Sequence, residues 1–132
     1  TRHSYHLYIF RYKPSAFRNV PKRQFCDMLL AEGVPCFMGY PEPLYKQPVF
    51  QRKNFWCYAI PEEVDYRDVC CPVCEKACYE EAVWITQNAM LGTKEDMELF
   101  AAAIRKIQGR LLSGDCAALL DTLPGERAVP AK

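Results

Sequence analysis

Residues 33–50 read Gly-Val-Pro-Cys-Phe-Met-Gly-Tyr-Pro-Glu-Pro-Leu-Tyr-Lys-Gln-Pro-Val-Phe, a short apolar strand pattern that breaks into a loop dense in proline and aromatic side chains. Pro41, Pro43 and Pro48 fall within eight residues. Each fixes φ and removes a backbone donor, and together they lower the entropy lost when the loop orders. No regular element can run through such a stretch, so the loop is built to hold one irregular shape. Tyr40, Tyr45 and Phe50 add flat faces, with hydroxyl groups on the two tyrosines. Two uses fit these residue types: recognition of a polar, ring-shaped ligand, or closure of a domain or subunit interface.

With 132 residues the chain has the length of one domain, which buries roughly two-thirds of the surface its unfolded form exposes. A hydrophobic fraction of 50% and a charged fraction of 25% are those of an ordinary globular protein. The net charge is +1, and tight basic pairs such as Lys22-Arg23 and Arg52-Lys53 are too few for a stripe that follows phosphates. A nucleic-acid partner is therefore not expected. No stretch approaches the roughly twenty apolar residues that span a bilayer, and the N-terminus lacks a signal-peptide layout. The expectation is a cytoplasmic protein with no membrane partner. The start, Thr1-Arg2-His3-Ser4-Tyr5-His6, has no methionine and runs straight into a strand pattern, as in a piece cut from a longer chain.

Residues 5–13 alternate bulky and polar groups and predict a strand ended by Pro14. Pro21 opens a helix to Glu32 with Phe25, Met28 and Leu29 on its core side, and Gly33 closes it. Residues 34–38 predict a second strand. The stretch 39–69 is long for a loop, with weak helical hints at 54–59, and loops of this length are functional or interfacial. Residues 72–81 predict a helix and 83–88 a strand rich in β-branched and aromatic residues. Thr93-Lys94-Glu95-Asp96 has the form of a capping box before a helix with Met97, Phe100, Ile104 and Ile107 on one side, ending near Gln108-Gly109. The expected fold is α+β, a small and largely antiparallel sheet with helices on one face. Residues 1–109 form its domain, and 110–132 a short helical or irregular tail with one apolar patch at Leu119 and Leu120.

Eight cysteines raise the question of zinc, because Cys70, Cys71, Cys74 and Cys78 crowd together. Cys71 and Cys74 have ligand spacing, but a structural site needs a second pair from another knuckle. Cys70, Cys74 and Cys78 also recur every fourth residue, the period of one buried helix face, and free cysteine packs as a small hydrophobe. A free-standing zinc-binding interaction module organised by these four cysteines is the alternative to a packed helix. Disulfides are not expected in a cytoplasmic protein. His3 and His6 lie on opposite faces of a strand, His6 with the inward set Tyr8 and Phe10. The acid pairs Glu62-Glu63, Glu80-Glu81 and Glu95-Asp96 suit helix termini and solvated turns. No phosphate-binding glycine motif and no nucleophile elbow occurs, and no complete active site is legible.

Three blocks carry a family resemblance. They are Tyr5-His6-Leu7-Tyr8-Ile9-Phe10-Arg11; Leu30-Ala31-Glu32-Gly33-Val34-Pro35 on to Pro48; and Cys71-Pro72-Val73-Cys74-Glu75-Lys76-Ala77-Cys78 followed by Ala82-Val83-Trp84-Ile85 and Leu91-Gly92-Thr93-Lys94-Glu95-Asp96-Met97. In this order they resemble the C-terminal small domain of the DegT/DnrJ/EryC1/StrS family, pyridoxal-phosphate-dependent sugar and cyclitol aminotransferases of fold type I. Many members with nucleotide-sugar substrates carry His-Tyr where this chain has Gly39-Tyr40. The Gly-Tyr-Pro-x-Pro-Leu-Tyr version, with Ala-Val-Trp following, looks more like the branch that aminates keto-cyclitols such as scyllo-inosose, and losing the imidazole leaves room and one donor fewer. The resemblance implies an amino group moved from glutamine or glutamate to a keto-cyclitol or keto-sugar. It implies pyridoxal phosphate held by a large domain of the parent chain, with its Schiff-base lysine there, and a parent homodimer with shared active sites. It implies substrate contacts from Gly39, Tyr40 and Tyr45, no catalytic, cofactor-binding or metal residue in this chain, and no catalysis by the fragment alone. Lys22, Lys76, Lys94 and Lys106 are expected on exposed helix faces, with nothing to depress their pKa.

Overall fold

Strands β1 (Leu7–Arg11) and β2 (Ala82–Thr86) pair antiparallel in the register Leu7↔Thr86 to Arg11↔Ala82 in a computed structural model that describes residues 6–53 and 65–114. Side chains alternate across a strand, so Tyr8 and Phe10 stand opposite Ile85 and Val83 on one face, and Ile9 stands opposite Trp84 on the other. The first face meets two helices, α1 (Lys22–Ala31) and α4 (Lys94–Ser113), and closes a core that includes Phe25, Met28, Leu29, Val83, Ile85, Ile107 and Leu111. The architecture is thus the expected α+β arrangement of a small antiparallel sheet and helices.

An aromatic knot ties the end of β1 to α1. Tyr12 is 2% exposed and stacks on Phe25 with ring centroids 4.3 Å apart, while Phe17 packs against both. Its hydroxyl would be costly to bury alone, and it donates to the Val20 carbonyl at 2.7 Å. Burial pushes that phenol up to about 12. Pro21 sits at the N-cap of α1, and Gly33 at φ +85° supplies the left-handed turn beyond its end. Thr93 and Asp96 make the capping box of α4, each side chain accepting from the other's backbone N–H.

Several expectations require correction. Helix α4 does not stop at Gln108-Gly109 but runs to Ser113, with Gly114 at φ +88° closing it. A helical glycine costs about 1 kcal/mol, and this is overridden because Leu111 is buried and Arg18 Nη1 and Gln108 Nε2 donate to the Leu111 and Ala16 carbonyls. The segment 34–38 is not a full strand; it makes a single antiparallel bridge, Phe37↔Trp84. Strand β2 ends at Thr86, and a 3₁₀ turn, Gln87–Leu91, follows. His6 is exposed, and Tyr8, 40% exposed, is less covered than an inward residue should be. Within 39–69 the chain forms a 3₁₀ turn, Leu44–Lys46, and a short helix α2, Pro48–Gln51. The helical hints at 54–59, His3, Cys57, the Glu62-Glu63 pair, Cys116 and the patch at Leu119 and Leu120 lie outside the described residues.

The expected helix at 72–81 is α3 (Pro72–Lys76) followed without a break by a π-helical turn, Ala77–Glu81, that leads into β2. Its cysteine stripe does not form a buried face. Cys70 and Cys74 are exposed and Cys78 is half-buried, all free thiols. The segment is held instead by the acids of α3 and its following turn. Glu81 pairs with Arg11 and Lys76, and Glu75 with Lys46. Among the described residues no helix is long and apolar enough to cross a membrane.

Phe25 is 1% exposed and touches both other rings of the knot. Phe25→Ala is expected to destabilise the chain by about 3–5 kcal/mol. A lowered urea midpoint at unchanged slope would register that loss, whereas a shift below about 1 kcal/mol would remove the knot from its central place.

Candidate functional site

Strand β2 places Trp84 on the face away from α1 and α4, and both Trp84 backbone groups are spent on Phe37, with N–H···O distances of 2.9 Å and 2.8 Å. This ladder cannot lengthen. Its next register positions would be Pro35, which has no N–H to donate, and Gly39, whose φ of +77° leaves the extended region. The chain therefore turns away at Gly39. Glycine is required there twice over, by the left-handed backbone and by the indole. A Cβ on Gly39 would lie 2.8 Å from both Cε2 and Nε1 of Trp84. The room expected from the absent imidazole is thus taken by Trp84. Tyr40 stands edge-on to the same indole, with centroids 4.9 Å apart and planes at 86°.

Gly39 and Tyr40 share a cavity of about 220 Å³ with Lys22, Met38, Cys78 and Tyr79. Lys22 is the correction of greatest consequence. Far from lying on an exposed face, it is 8% exposed, and it is the one buried charged side chain among the described residues. Its Nζ donates to the Met38 carbonyl at 3.1 Å and the Cys78 carbonyl at 2.5 Å. One ammonium thus joins α1, the segment before Gly39 and the π-helical turn. Burial lowers its pKa, opposed by the nearby Cys26 and Cys78 thiols. The signal was present in the sequence, because Lys22, Phe25, Cys26 and Leu29 stand at i, i+3, i+4 and i+7, the apolar stripe of α1. Lys76 and Lys106 pair with Glu81 and Glu32, and Lys94 with Glu98.

Tyr45 lies apart from this cavity and has a different set of contacts. Its hydroxyl donates to Glu75 Oε1 and accepts from the Cys71 N–H at 3.3 Å, and its carbonyl accepts from Gln51 Nε2. Lys46 Nζ lies 3.2 Å from the same carboxylate and above the rings of both Tyr45 and Tyr79. The Tyr45 hydroxyl and then Lys46 hold the Glu75 carboxyl below its usual range, while the hydrogen bond to Glu75 raises the Tyr45 phenol. Tyr45 latches the proline-rich loop to the start of α3, and the Lys46–Tyr79 contact carries the latch to the cavity wall. Behind the wall, Cys36 Sγ donates to the Cys26 carbonyl at 3.6 Å. A hydrogen bond between the Cys26 and Cys36 side chains raises the Cys36 thiol and lowers that of Cys26.

Pyridoxal phosphate needs a lysine for its Schiff base, an acid for its ring nitrogen and donors for its phosphate. The buried lysine here holds two carbonyls, and the titratable side chains that act on it are the thiols of Cys26 and Cys78, with no carboxylate among the described residues. The described residues do not fit that cofactor. Nor do they supply a zinc ligand set, since among them no group of three or more His, Cys, Asp or Glu is arranged to hold a metal ion.

No family model matches the chain. It is similar, at 29% identity over 82% of its length, to a protein of Streptoalloteichus tenebrarius named as a candidate L-glutamine:3-amino-2,3-dideoxy-scyllo-inosose aminotransferase. A protein of Streptomyces kanamyceticus with the same name is 26% identical over 84% of the chain. Both names fall in the keto-inositol aminotransferase branch that the three sequence blocks resemble. The chain spans 27% and 28% of the lengths of these relatives.

Two outcomes test this geometry. Gly39→Ala should cost about 1–3 kcal/mol from the backbone alone, seen as a lowered urea midpoint together with altered Trp84 fluorescence; a neutral substitution would mean that Gly39 does not rest on the indole. Glu75→Gln keeps an acceptor for Tyr45 but removes the charge. Because the folded Glu75 pKa is depressed, its contribution is complete above the ordinary value of 4.5 and is lost as pH falls through the folded value. The variant should therefore be less stable than the parent sequence at neutral pH, with the gap closing on acidification, and a gap independent of pH would exclude the charged latch.

Proposed function

We propose that this chain is the C-terminal, substrate-side domain of a pyridoxal-phosphate-dependent aminotransferase that moves an amino group from glutamine or glutamate to a keto-cyclitol or keto-sugar. The observation that carries the reading is the match to two relatives named for that chemistry, each several times longer than the matched chain. The geometry supports the same division of labour. When bound in the large domain, the cofactor supplies the electron sink for exchanging an amine with a ketone, and the residues described here bind and orient. Tyr40 offers a ring and a hydroxyl at the cavity rim, Gly39 lets the backbone approach the indole, and Tyr45 preorganises the loop through Glu75. A ring bearing several hydroxyl groups suits such a wall, because aromatic faces cover its carbon frame while hydroxyls meet its edge.

The partners on this reading are the large cofactor-binding domain of the parent chain and a second copy of that parent, in a cytoplasmic homodimer with shared active sites. The test is to produce the parent polypeptide that contains this chain and add pyridoxal phosphate. The expected result is a protein-bound pyridoxal absorbance band and glutamine-dependent amination of a keto-inositol. Absence of the band would overturn the assignment.

A further inference from the structure

The ammonium of Lys22 carries three N–H donors, and two are accounted for by the Met38 and Cys78 carbonyls. Among the described residues it has no third hydrogen bond and no ion pair, although it is 8% exposed and lines the cavity beside Gly39 and Tyr40. Carbonyls satisfy donors without neutralising the charge, and a buried charge without a counter-ion is costly. Tyr40 and Tyr79 line the same cavity, and their hydroxyls likewise have no hydrogen bond among the described residues. A cavity of about 220 Å³, lined by both tyrosines, therefore has beside it one positive charge with no counter-ion among the described residues, one spare N–H and two spare hydroxyls.

The chemistry that complements this set is a single carboxylate on a short carbon skeleton. One negative charge meets one ammonium in a charge-assisted hydrogen bond, a second oxygen can accept from a tyrosine hydroxyl, and the rings of Tyr40 and Tyr79 offer apolar faces to the methylenes. A phosphate dianion would hold two charges and further acceptor oxygens on one centre in the same space, whereas a second carboxylate at the far end of a carbon chain reaches solvent past the exposed Tyr40 and Tyr79. A neutral polyol would leave the ammonium as it is.

We infer that the cavity between Lys22, Gly39, Tyr40 and Tyr79 is a carboxylate-binding site for a small organic acid, with Lys22 as its specificity-determining residue. This goes beyond the aminotransferase reading and rests on it only for the source of the acid, the carboxylate-bearing amino donor. Lys22 also acts as a strut for the Met38–Gly39 turn, so a bound anion would stiffen the rim on which Tyr40 stands.

The experiment is a calorimetric titration of the 132-residue chain with glutarate and with its uncharged counterpart glutaramide, repeated on Lys22→Met and Lys22→Arg with circular dichroism as the folding control. Glutarate is expected to bind saturably and glutaramide roughly ten- to hundred-fold more weakly, the factor a charge-assisted hydrogen bond supplies. Lys22→Met should lose the same factor while Lys22→Arg keeps part of it. Equal affinity for the two probes, no saturable glutarate binding, or a folded Lys22→Met that binds as before would each overturn the site.

Should Lys22→Met not fold, a pH series on the unsubstituted chain decides. Glutarate affinity must fall as pH rises through the depressed Lys22 pKa. The other titratable groups facing that ammonium are Cys26 on α1, Cys78 and Tyr79 on the π-helical turn, and Tyr40 on the loop, and a parallel series on Cys26→Ala separates the thiol's own titration. An affinity flat with pH would overturn the site. Loss of glutarate binding with the pyridoxal band of the parent intact would remove this role alone, whereas loss of the band would remove the aminotransferase reading and leave the glutarate result standing.

Discussion

Strand β2 is the constraint on which the other parts depend, because its alternation serves two surfaces at once. Val83 and Ile85 face α1 and α4 and are buried at 0% and 4% exposure, while Trp84 between them turns outward. The outward residue is not idle. Its backbone holds Phe37, and its indole fills the volume that any side chain at position 39 would need. A one-residue slip of this strand would exchange the faces, exposing the core pair and withdrawing the platform beneath Gly39 and Tyr40 in the same step. Core packing and site geometry are thereby set by a single register.

The candidate site is preorganised by polar contacts as much as by packing. Lys22 fastens three elements through two carbonyls, and Tyr45, Glu75 and Lys46 fasten the proline-rich loop to the start of α3. The two fastenings meet at Tyr79, which lines the cavity and lies under the Lys46 ammonium. Prolines remove alternative loop conformations before folding, and these contacts select among the remainder. The price of burying an ammonium is met in part by its two carbonyls.

Much of the fold was legible because it depends on local rules. The Thr93–Asp96 capping box, the left-handed Gly33, the Phe25–Leu29 stripe and the alternation of β1 and β2 were readable from residue order. The errors arose where a local signal competed with a distant partner. Gly109 has the local form of a helix end, but the Arg18 bond to the Leu111 carbonyl and the burial of Leu111 carry the helix past it. The period of Cys70, Cys74 and Cys78 correctly marked one side of a helical segment. Whether that side is buried depends on what faces it, and Cys70 and Cys74 are left exposed.

The site divides in the same way. The aromatic, proline-braced loop and the three blocks of resemblance were visible along the chain, since turn chemistry and residue order are local properties. That Tyr40 and Tyr45 occupy separate neighbourhoods, that Trp84 fills the space above Gly39, and that Lys22 is buried with a charge no carboxylate among the described residues matches were not. Lys22 and Cys78 are 56 positions apart. Residue order by itself determined the two paired strands, helices α1 and α4 and the rigid loop; tertiary structure decided where α4 ends, that residues 34–38 make a single bridge, and which groups meet across such separations, because burial and pairing of a charge belong to the assembled surroundings and not to the residue that carries it.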